Sequence, residues 1–290
     1  METRNSAATI TQLGRVKEYY NRVAPYYNRL MGYKRIEDHD VFSTRPWLRD
    51  VLKSTDPGGL VLDFGCGTGW DVISLSTHGY ETIGMDISER MLNVGRCALE
   101  GVRRELHASL VLLDNPDLPL ESESIGCVLC LGSVLSHFPS DYELNNFFRM
   151  MNRVTRPGGT IVLEFEDYAN VFRGASTGFA VHFEEPISND IEPLVAVDLW
   201  TWQASSIHSR LILTHLAEGR THSLYDLDLY AVSIPSVEKC LSDCGFAILS
   251  SEVQDQHEQQ SSAFIFVQNT RNIKRRRLAI IKARKVYHSE

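Results

Sequence analysis

The sequence of 290 residues lacks the features of several special classes of protein. It has no run of about 18 apolar residues that could cross a membrane as a helix. The N-terminal segment lacks the apolar stretch of a secretory signal, so we expect a cytoplasmic protein. Six cysteines are too few and too scattered for a disulfide scaffold. A hydrophobic content of 43% is nevertheless sufficient for a large core.

Basic residues are scarce outside the last part of the chain. The formal net charge is −8, but residues 271–290 hold eight basic residues and one acidic residue, which leaves about −15 for residues 1–270. Such an acidic body lacks the basic face that nucleic-acid binding requires, so we expect a small-molecule substrate and no nucleic acid. The basic tail is interpreted as a solvated or docked helix, or as a membrane, nucleic-acid or import signal. A homo-oligomer stays open.

Two cysteines, Cys127 and Cys130, lie in an apolar run that is typical of a buried strand. Positions three apart on a strand face opposite sides of the sheet, so this pair cannot bind one metal ion. We expect both side chains in the core, and we expect no metal site.

Strands and helices alternate along residues 60–165. Strands are predicted at 60–64, 81–85, about 109–113, 125–131 and 160–165, with helices between them and two later strands at 246–252 and 262–268. This order predicts an α/β fold, a doubly wound, seven-stranded and mostly parallel Rossmann-like sheet. The N-terminal helix is predicted to break before Pro25, because a residue before proline disfavours the helical conformation.

Residues 169–235 interrupt this alternation. The runs 209–215 and 222–230 alternate apolar and polar residues around a turn, which predicts an antiparallel hairpin. We therefore predict four parts: N-terminal lid helices (1–55), a cofactor-binding core (56–168 and 236–268), a β-rich cap over the active site (169–235) and a basic C-terminal tail (269–290).

Three glycines, Gly65, Gly67 and Gly69, follow the first strand and precede a helix. Glycine lets the backbone approach a ligand closely, and the helix N-terminus offers free N–H donors. At the switch point of an open α/β sheet this chemistry suits an adenosine-bearing ligand. Asp86 at the end of the second strand can accept both ribose hydroxyls, and Asp114 at the end of the third can accept from the adenine amino group.

The spacing of these glycines argues against a dinucleotide. Such sites need G-x-G-x-x-G, whereas Trp70 occupies the third glycine position here and Gly69 comes one residue early. The pattern G-x-G-x-G, preceded by Asp63, favours a ligand without a pyrophosphate. A dinucleotide oxidoreductase is therefore a disfavoured alternative.

The segment Val61–Gly69 resembles the first motif of the class I S-adenosylmethionine-dependent methyltransferases. Further motifs follow in order at 84–88, 114–119 and 153–159, so that the resemblance covers roughly residues 15–268. One departure is Ile125–Gly126, where the family commonly has Phe–Asp. The resemblance implies S-adenosylmethionine as cofactor, bound by Asp63, Gly65, Cys66, Gly67, Gly69, Asp86, Ile87, Asp114, Asn115, Leu131 and Tyr27.

Within that class, residues 67–71 and 130–139 and the late β insertion are most similar to glycine and sarcosine N-methyltransferases. Those enzymes carry an arginine after the fifth strand that holds the amino-acid carboxylate. This chain has Glu166 there by that comparison. Since a carboxylate cannot bind a carboxylate, the departure argues against glycine as the acceptor and favours a cationic amine.

Candidate catalytic residues are His137, Tyr20 and Glu166. His137 follows the fourth strand and is interpreted as a base or hydrogen-bond partner of the substrate, or alternatively as a histidine satisfied by nearby backbone. The glutamates at the end of the fifth strand could attract a protonated substrate, or alternatively form a solvated strand end with one acid that supports the cofactor. The predicted substrate-binding residues are Glu164, Tyr168, Trp200, Trp202 and Tyr230.

The sequence thus predicts methyl transfer to a small molecule, with an amine nitrogen as the first choice of acceptor and oxygen as the second. The cofactor carries an activated methyl group, so the protein mainly provides positioning and exclusion of water. The alternative from a different class is a noncatalytic cofactor-binding or interaction protein on the same fold.

Overall fold

The computed structural model describes residues 2–33, 35–55, 59–102, 105–113, 118–132, 134–167, 177–184, 194–203, 205–216, 221–255 and 277–286. In these parts of the chain no helix is both long and apolar enough to span a membrane. The described residues form eleven strands: β1 Leu60–Phe64, β2 Thr82–Asp86, β3 Ala108–Leu112, β4 Ile125–Cys130, β5 Thr155–Glu166, β6 Thr177–Glu184, β7 Leu194–Gln203, β8 Ser206–His215, β9 His222–Tyr230, β10 Phe246–Asp255 and β11 Arg277–Lys285.

Seven strands form one sheet in the order β10-β11-β5-β4-β1-β2-β3. Strands β1 to β5 all run parallel to one another, whereas β11 is antiparallel to both β5 and β10. The predicted seven-stranded, mostly parallel sheet is therefore confirmed. Strands β2 and β3 follow β1 on one side of the sheet, and β4 and β5 lie on its other side. The carboxyl ends of β1 and β4 therefore flank the switch point where ligands bind in this architecture.

Helices precede and connect these strands. They are α1 Glu2–Leu30, α2 Val41–Thr44, α3 Pro46–Ser54, α4 Trp70–Thr77, α5 Glu89–Gly101, α6 Asp141–Val154 and α7 Ile234–Asp243, with 3-10 turns at Ile36–Asp38 and Val134–His137. Serine side chains cap three of them by accepting a hydrogen bond from a backbone N–H in the first turn: Ser88 for α5, Ser140 for α6 and Ser233 for α7.

The predicted break of the first helix is wrong, because α1 continues through Pro25. Proline removes one backbone hydrogen bond, but tertiary contacts hold both halves of the helix in place. Val23 and Ala24 before the proline and Leu30 after it are buried. Packing therefore overrides the local preference of the residue before proline.

The core lies on both faces of strand β4, which is buried along its whole length. Cys127 packs into a cluster with α3, and Cys130 packs into the larger cluster with α6 and α7. The prediction that these two thiols face opposite sides of the sheet is confirmed.

The departure at Gly126 has a steric explanation. The guanidinium of Arg156 lies against Gly59 and Gly126, and a Cβ on Gly126 would lie 2.6 Å from Arg156 Nη2 and 2.9 Å from the Gly59 Cα. A larger residue here would displace the arginine and the backbone of β1. The glycine therefore serves packing at the amino ends of the strands, away from the glycine loop.

Four strands form a second, antiparallel sheet in the order β6-β7-β8-β9, which we call the cap sheet. The predicted hairpin is present as β8 and β9. Strands β7 to β9 pack against α1 through a cluster that includes Leu194, Leu211, Leu213 and Tyr225. The cap sheet thus reaches the core partly by way of the first helix.

The prediction of a separate basic tail is wrong for residues 277–285, because they form β11 between β10 and β5. Ala279, Ile280, Ile281 and Ala283 are buried. Lys285 is also buried, and its Nζ donates to Glu123 Oε1 and to the carbonyl oxygens of Asn152 and Thr155. The strand predicted at 262–268 lies outside the described residues.

We predict that a chain ending at Thr270 loses cooperative folding. The truncation removes β11 and exposes the edges of β5 and β10; the two buried isoleucines alone contribute about 3–6 kcal/mol, a large share of a typical domain stability of about 5–15 kcal/mol. Thermal unfolding followed by circular dichroism tests this. A chain ending at Val286 is the control and should unfold like the full chain, while a cooperative transition in the shorter chain would contradict the role of β11.

Candidate active site

A cavity of about 1340 Å³ lies at the carboxyl ends of β1, β2, β4 and β5 and is enclosed by α1 and the cap sheet. Ligand pockets typically measure about 300–1,000 Å³, so this space is large enough for two molecules side by side. One end is formed by the glycine loop and the acids around it. The other end is formed by α6, the Val134–His137 turn and the cap sheet.

The glycine loop adopts a backbone that few other residues could adopt. Gly65, Gly67 and Gly69 have φ values of +78°, +57° and +70°. A Cβ on Gly65 would also collide with the side chain of Val134. The loop therefore has no side chain at Gly65 and Gly67, where its backbone lines the cavity, as the sequence predicts. Gly69 does not line the cavity and instead caps α4.

Asp86 ties the glycine loop to the end of β2. Its Oδ2 accepts a hydrogen bond of 2.8 Å from the Gly67 N–H, and its Oδ1 accepts one of 2.8 Å from the Ser88 N–H. Burial raises the pKa of Asp86 to about 6, although hydrogen bonds from the backbone of Ser88, Gly67 and Ile87 oppose this. At neutral pH the carboxylate is therefore largely ionised and has lone pairs available for hydroxyl donors.

A buried arginine gathers the acids at the other side of the loop. Arg45, at the junction of α2 and α3, forms a two-pronged ion pair with Glu164 of β5 and a 3.1 Å ion pair with Asp71 of α4. His39 Nε2 lies 2.7 Å from the other oxygen of Asp71. Burial acts to raise the pKa of Asp71, but Arg45 and His39 outweigh it and the pKa is lowered.

Asp63 faces the same end of the cavity from β1. Burial, reinforced by the negative charges of Asp71, Asp86 and Glu164, raises its pKa to about 8, against the opposing charge of Arg45. Asp71 and Glu164 thus contact one guanidinium here, and Asp63 adds a carboxyl group that is largely protonated at neutral pH. Such an arrangement favours a ligand that carries positive charge together with one carboxylate.

Helix α1 closes over the loop and is fastened to it by two asparagines two turns apart. Asn28 Oδ1 accepts from the Thr68 hydroxyl at 2.7 Å, and Asn21 Oδ1 accepts from the Ser88 hydroxyl at 2.8 Å. The ring of Tyr27 lies over Gly67. The predicted lid helices thus contact the loop directly.

Tyr20 and His137 form a pair in the part of the cavity that α6 and the cap sheet also line. The Tyr20 hydroxyl lies 2.9 Å from His137 Nε2, and His137 Nδ1 is buried without a hydrogen-bond partner among the described residues. Burial lowers the pKa of His137 to about 4, so that the imidazole is neutral at physiological pH. Burial also raises the pKa of Tyr20 well above its usual value.

The cavity brings together thirteen of the residues singled out in the sequence: Tyr20, Tyr27, Asp63, Gly65, Cys66, Gly67, Asp86, Ile87, Leu131, His137, Glu164, Glu166 and Trp200. Glu164 has a different partner from the one expected, because it pairs with Arg45 rather than facing a substrate alone. The predicted site residues Asp114, Asn115 and Tyr168 lie outside the described residues.

Two of the predicted substrate-binding residues, Tyr230 and Trp202, do not line the cavity. Tyr230 lies next to the cavity-lining Leu229 on β9, so its side chain faces the other side of the strand, where its hydroxyl donates to Asp141. Trp202 lies beyond Trp200 on β7 and packs in a small cluster with Ile207. The two tryptophans are two positions apart and so lie on the same face of β7, but of the two only Trp200 lines the cavity.

Several cavity residues were not predicted from the sequence. Arg45 and Asp198 come from segments that carry no glycine motif, and the positions of Arg45, Asp71 and Asp198 depend on contacts with other segments of the chain. A sequence signal existed only for Asp71, which directly follows the Gly67–Trp70 segment in the first turn of α4.

Comparison with known proteins gives the family of the core. A family model described as the methyltransferase domain matches residues 61–159, which include the glycine loop and Asp86. Residues 61–159 of this chain are therefore similar to a methyltransferase domain. An uncharacterized methyltransferase from Mycobacterium sp. (strain KMS) is 35% identical over 133 residues, 45% of this chain and 48% of that protein. Glycine N-methyltransferase from Rattus norvegicus is 28% identical over 148 residues, 45% of this chain and 49% of that protein.

The chain spans about half the length of these curated relatives. Solved structures extend the likeness of the fold over nearly the whole chain. The CcbJ methyltransferase from Streptomyces caelestis superposes with a TM-score of 0.69 at 18% identity, over 93% of this chain and 98% of that one. SAM-bound CalS10, an amino pentose methyltransferase from Micromonospora echinaspora, has a TM-score of 0.59 at 17% identity, over 87% and 94%. The methyltransferase domain therefore has the class I fold.

The cofactor that this domain and fold support is S-adenosylmethionine, and the cavity fits it. Asp86 can accept from ribose hydroxyls, Arg45 can pair with the carboxylate of the methionine end, and Asp63 can pair with its ammonium group. The bare backbone at Gly65 and Gly67 leaves room between these groups.

We predict that Asp86→Ala weakens binding of S-adenosylhomocysteine more than tenfold, because no other described side chain in the cavity replaces the two ribose hydrogen bonds. Isothermal titration calorimetry measures the affinity, and thermal unfolding checks that the loop variant is folded. Glu89→Ala, which removes an exposed acid at the start of α5, is the control. Unchanged affinity in Asp86→Ala would remove this residue from the site.

We also predict that affinity for S-adenosylhomocysteine rises with pH up to about 8 and then levels off. Asp63 is protonated below its raised pKa, and an ammonium group of the ligand favours the ionised carboxylate, so binding releases a proton. The rise is at most roughly tenfold per pH unit. Calorimetry between pH 6.5 and 8.5 measures it.

The matched variant for this measurement is Asp63→Asn. It should bind more weakly and should lack the part of the pH dependence that belongs to Asp63, while contributions from Asp86 and from the amino group of the ligand stay the same. Identical pH slopes in the two proteins would contradict the assignment.

Proposed function

We propose that this chain is a cytoplasmic enzyme that transfers the methyl group of S-adenosylmethionine to an amine nitrogen of a small molecule. The observation that carries the proposal is the single cavity, which joins the glycine loop and Arg45 cluster at one end to the Tyr20–His137 pair at the other. All six cysteines are free thiols, which supports the cytoplasmic part of the proposal.

Charge balance supports the cofactor. With Asp71 and Glu164 paired to Arg45, and Asp86 largely ionised at neutral pH, this end of the cavity carries more negative than positive groups. When bound, S-adenosylmethionine supplies a methyl group activated on a cationic sulfur, and its ammonium group adds a second positive charge. The acids hold these charges out of water, and α1 with Tyr27 excludes solvent above them.

The state of His137 supports nitrogen over oxygen as the acceptor. A hydroxyl acceptor needs a base whose pKa lies near the working pH, and burial has moved the pKa of His137 to about 4. A neutral amine already has a free lone pair and needs only orientation. We therefore assign Tyr20 and His137 the task of orienting the acceptor by hydrogen bonding, rather than of removing its proton.

The name of one fold neighbour agrees with this choice, since CalS10 is an amino pentose methyltransferase. The weaker likeness to glycine N-methyltransferase does not extend to the substrate, because Glu166 lines the cavity near the end of β5. A noncatalytic cofactor-binding protein stays the alternative. The space beyond the glycine loop favours the enzyme, because a protein that only binds cofactor has no use for it.

The direct test is turnover of S-adenosylmethionine with a panel of primary and secondary amines and their hydroxyl analogues. Mass spectrometry detects the methylated product, and release of S-adenosylhomocysteine gives the rate. We expect amines to react, with a rate that rises with pH as the neutral amine becomes more abundant. Reaction of hydroxyl compounds alone would contradict nitrogen as the acceptor, and cofactor binding without any turnover would favour the noncatalytic alternative.

We predict that Tyr20→Phe lowers kcat roughly tenfold while the affinity for S-adenosylhomocysteine stays within about twofold. The variant removes one hydrogen bond at the acceptor end and none at the glycine loop. Tyr26→Phe is the matched control, because Tyr26 lies on the same helix but packs against His215 of the cap sheet. Equal kcat values for Tyr20→Phe and wild type would show that the Tyr20–His137 pair is only structural.

A further inference from the structure

The cavity-facing side of the cap sheet is almost entirely apolar. Strand β7 presents Ala196, Asp198 and Trp200 to the cavity at alternating positions, and β9 presents Leu227 and Leu229. Among the described cap residues that line the cavity, Asp198 is the one acid. A carboxylate is costly on an apolar wall unless a partner or a ligand compensates it.

Asp198 is held in a defined position. The hydroxyl of Ser209, a buried residue on the neighbouring strand β8, donates to Asp198 Oδ1 at 2.8 Å. In the register of β7 and β8, Ser209 is paired with Trp200, so it is a diagonal neighbour of Asp198 within the sheet. The carboxylate is therefore presented by a rigid sheet rather than by a mobile segment.

The carboxylate lies on the acceptor side of the cavity. Its charge reaches Tyr19 and Tyr20 on α1, where it adds to burial in raising the pKa of both hydroxyls. Tyr20 in turn contacts His137. Asp198 is thus near the pair that we assign to orienting the acceptor.

The charged groups around this end favour a cation. Besides Asp198, the cavity lining here includes Glu143 of α6 and Glu166 of β5, while Lys17 of α1 is the one basic residue among the described lining residues outside the Arg45 cluster. Such an excess of acid attracts a positively charged molecule and disfavours one that carries a carboxylate.

We propose that Asp198, positioned by Ser209, binds the ammonium group of the acceptor, and that the acceptor is an amine without a carboxylate whose apolar body packs against Trp200 and the leucines of β9. This inference rests on the proposed methyl transfer and names the class of its substrate. The ammonium binds first and then releases one proton to water, and the neutral nitrogen forms a bond to the methyl carbon as the methyl–sulfur bond breaks to leave S-adenosylhomocysteine. The methylated nitrogen is cationic again, so the same carboxylate binds the charge of both substrate and product. Amino acids such as glycine are excluded from this class.

Three probes with the same apolar body test the inference: 2-phenylethylamine, 2-phenylethanol and L-phenylalanine. Their affinities are measured by calorimetry in the presence of saturating S-adenosylhomocysteine, so that no turnover is required. We expect the amine to bind at least tenfold more tightly than the alcohol or the amino acid. The preference should disappear in Asp198→Asn and weaken in Ser209→Ala.

The matched control is Asp226→Asn, which removes an exposed carboxylate on the outer face of the same cap sheet and should keep the full preference for the amine. Equal affinities for the three probes, or an unchanged preference in folded Asp198→Asn, would overturn the inference. Wild-type protein that fails to bind S-adenosylhomocysteine would count against the proposed function instead, and the amine preference would then be measured without it.

Discussion

The charge of one buried guanidinium, that of Arg45, is the constraint around which the cofactor end of the cavity is organised. Asp71 and Glu164 come from a helix and a strand on either side of the switch point, and Arg45 joins them by ion pairs and lowers the pKa of Asp71 against the effect of burial. Because Arg45 lies at the junction of α2 and α3, the same ion pairs also fasten these two helices to the sheet. The docking of the N-terminal segment and the electrostatics of the site thus have a common cause.

This arrangement leaves the cavity with two chemically distinct ends. At the glycine loop, fixed backbone dipoles and ionised carboxylates meet a ligand that carries several charges. At the acceptor end, aromatic and leucine side chains form an apolar wall, and the cavity lining there also includes the acids Asp198, Glu143 and Glu166. Helix α1 contacts both ends, since it is fastened to Thr68 and Ser88 and also packs against the cap sheet. Closure over one ligand is therefore coupled to the shape of the space for the other.

The sequence was informative where chemistry depends on neighbouring residues. The three glycines, Asp86 at the end of β2 and the alternation of strands and helices all follow from local spacing, and they predicted both the sheet and the loop. Arg45, Asp71 and Asp198 could not be predicted in the same way, because their roles depend on partners up to 119 residues away. The placement of β11 was missed for a related reason: its basic residues obscured a strand in which Ala279, Ile280, Ile281 and Ala283 are buried. Pro25 shows the converse, a local signal that tertiary packing overrides.

The position of β11 has a consequence for folding during synthesis of the chain. Strand β5 ends at Glu166, yet the neighbour that covers its open side begins at Arg277, so more than a hundred residues must leave the ribosome before this pairing can form. Until then β5 presents unpaired backbone groups and the buried side chains Ile161, Val162 and Leu163 at a free edge. The nascent chain therefore passes through a stage in which the free edge of β5 is open to non-native pairing.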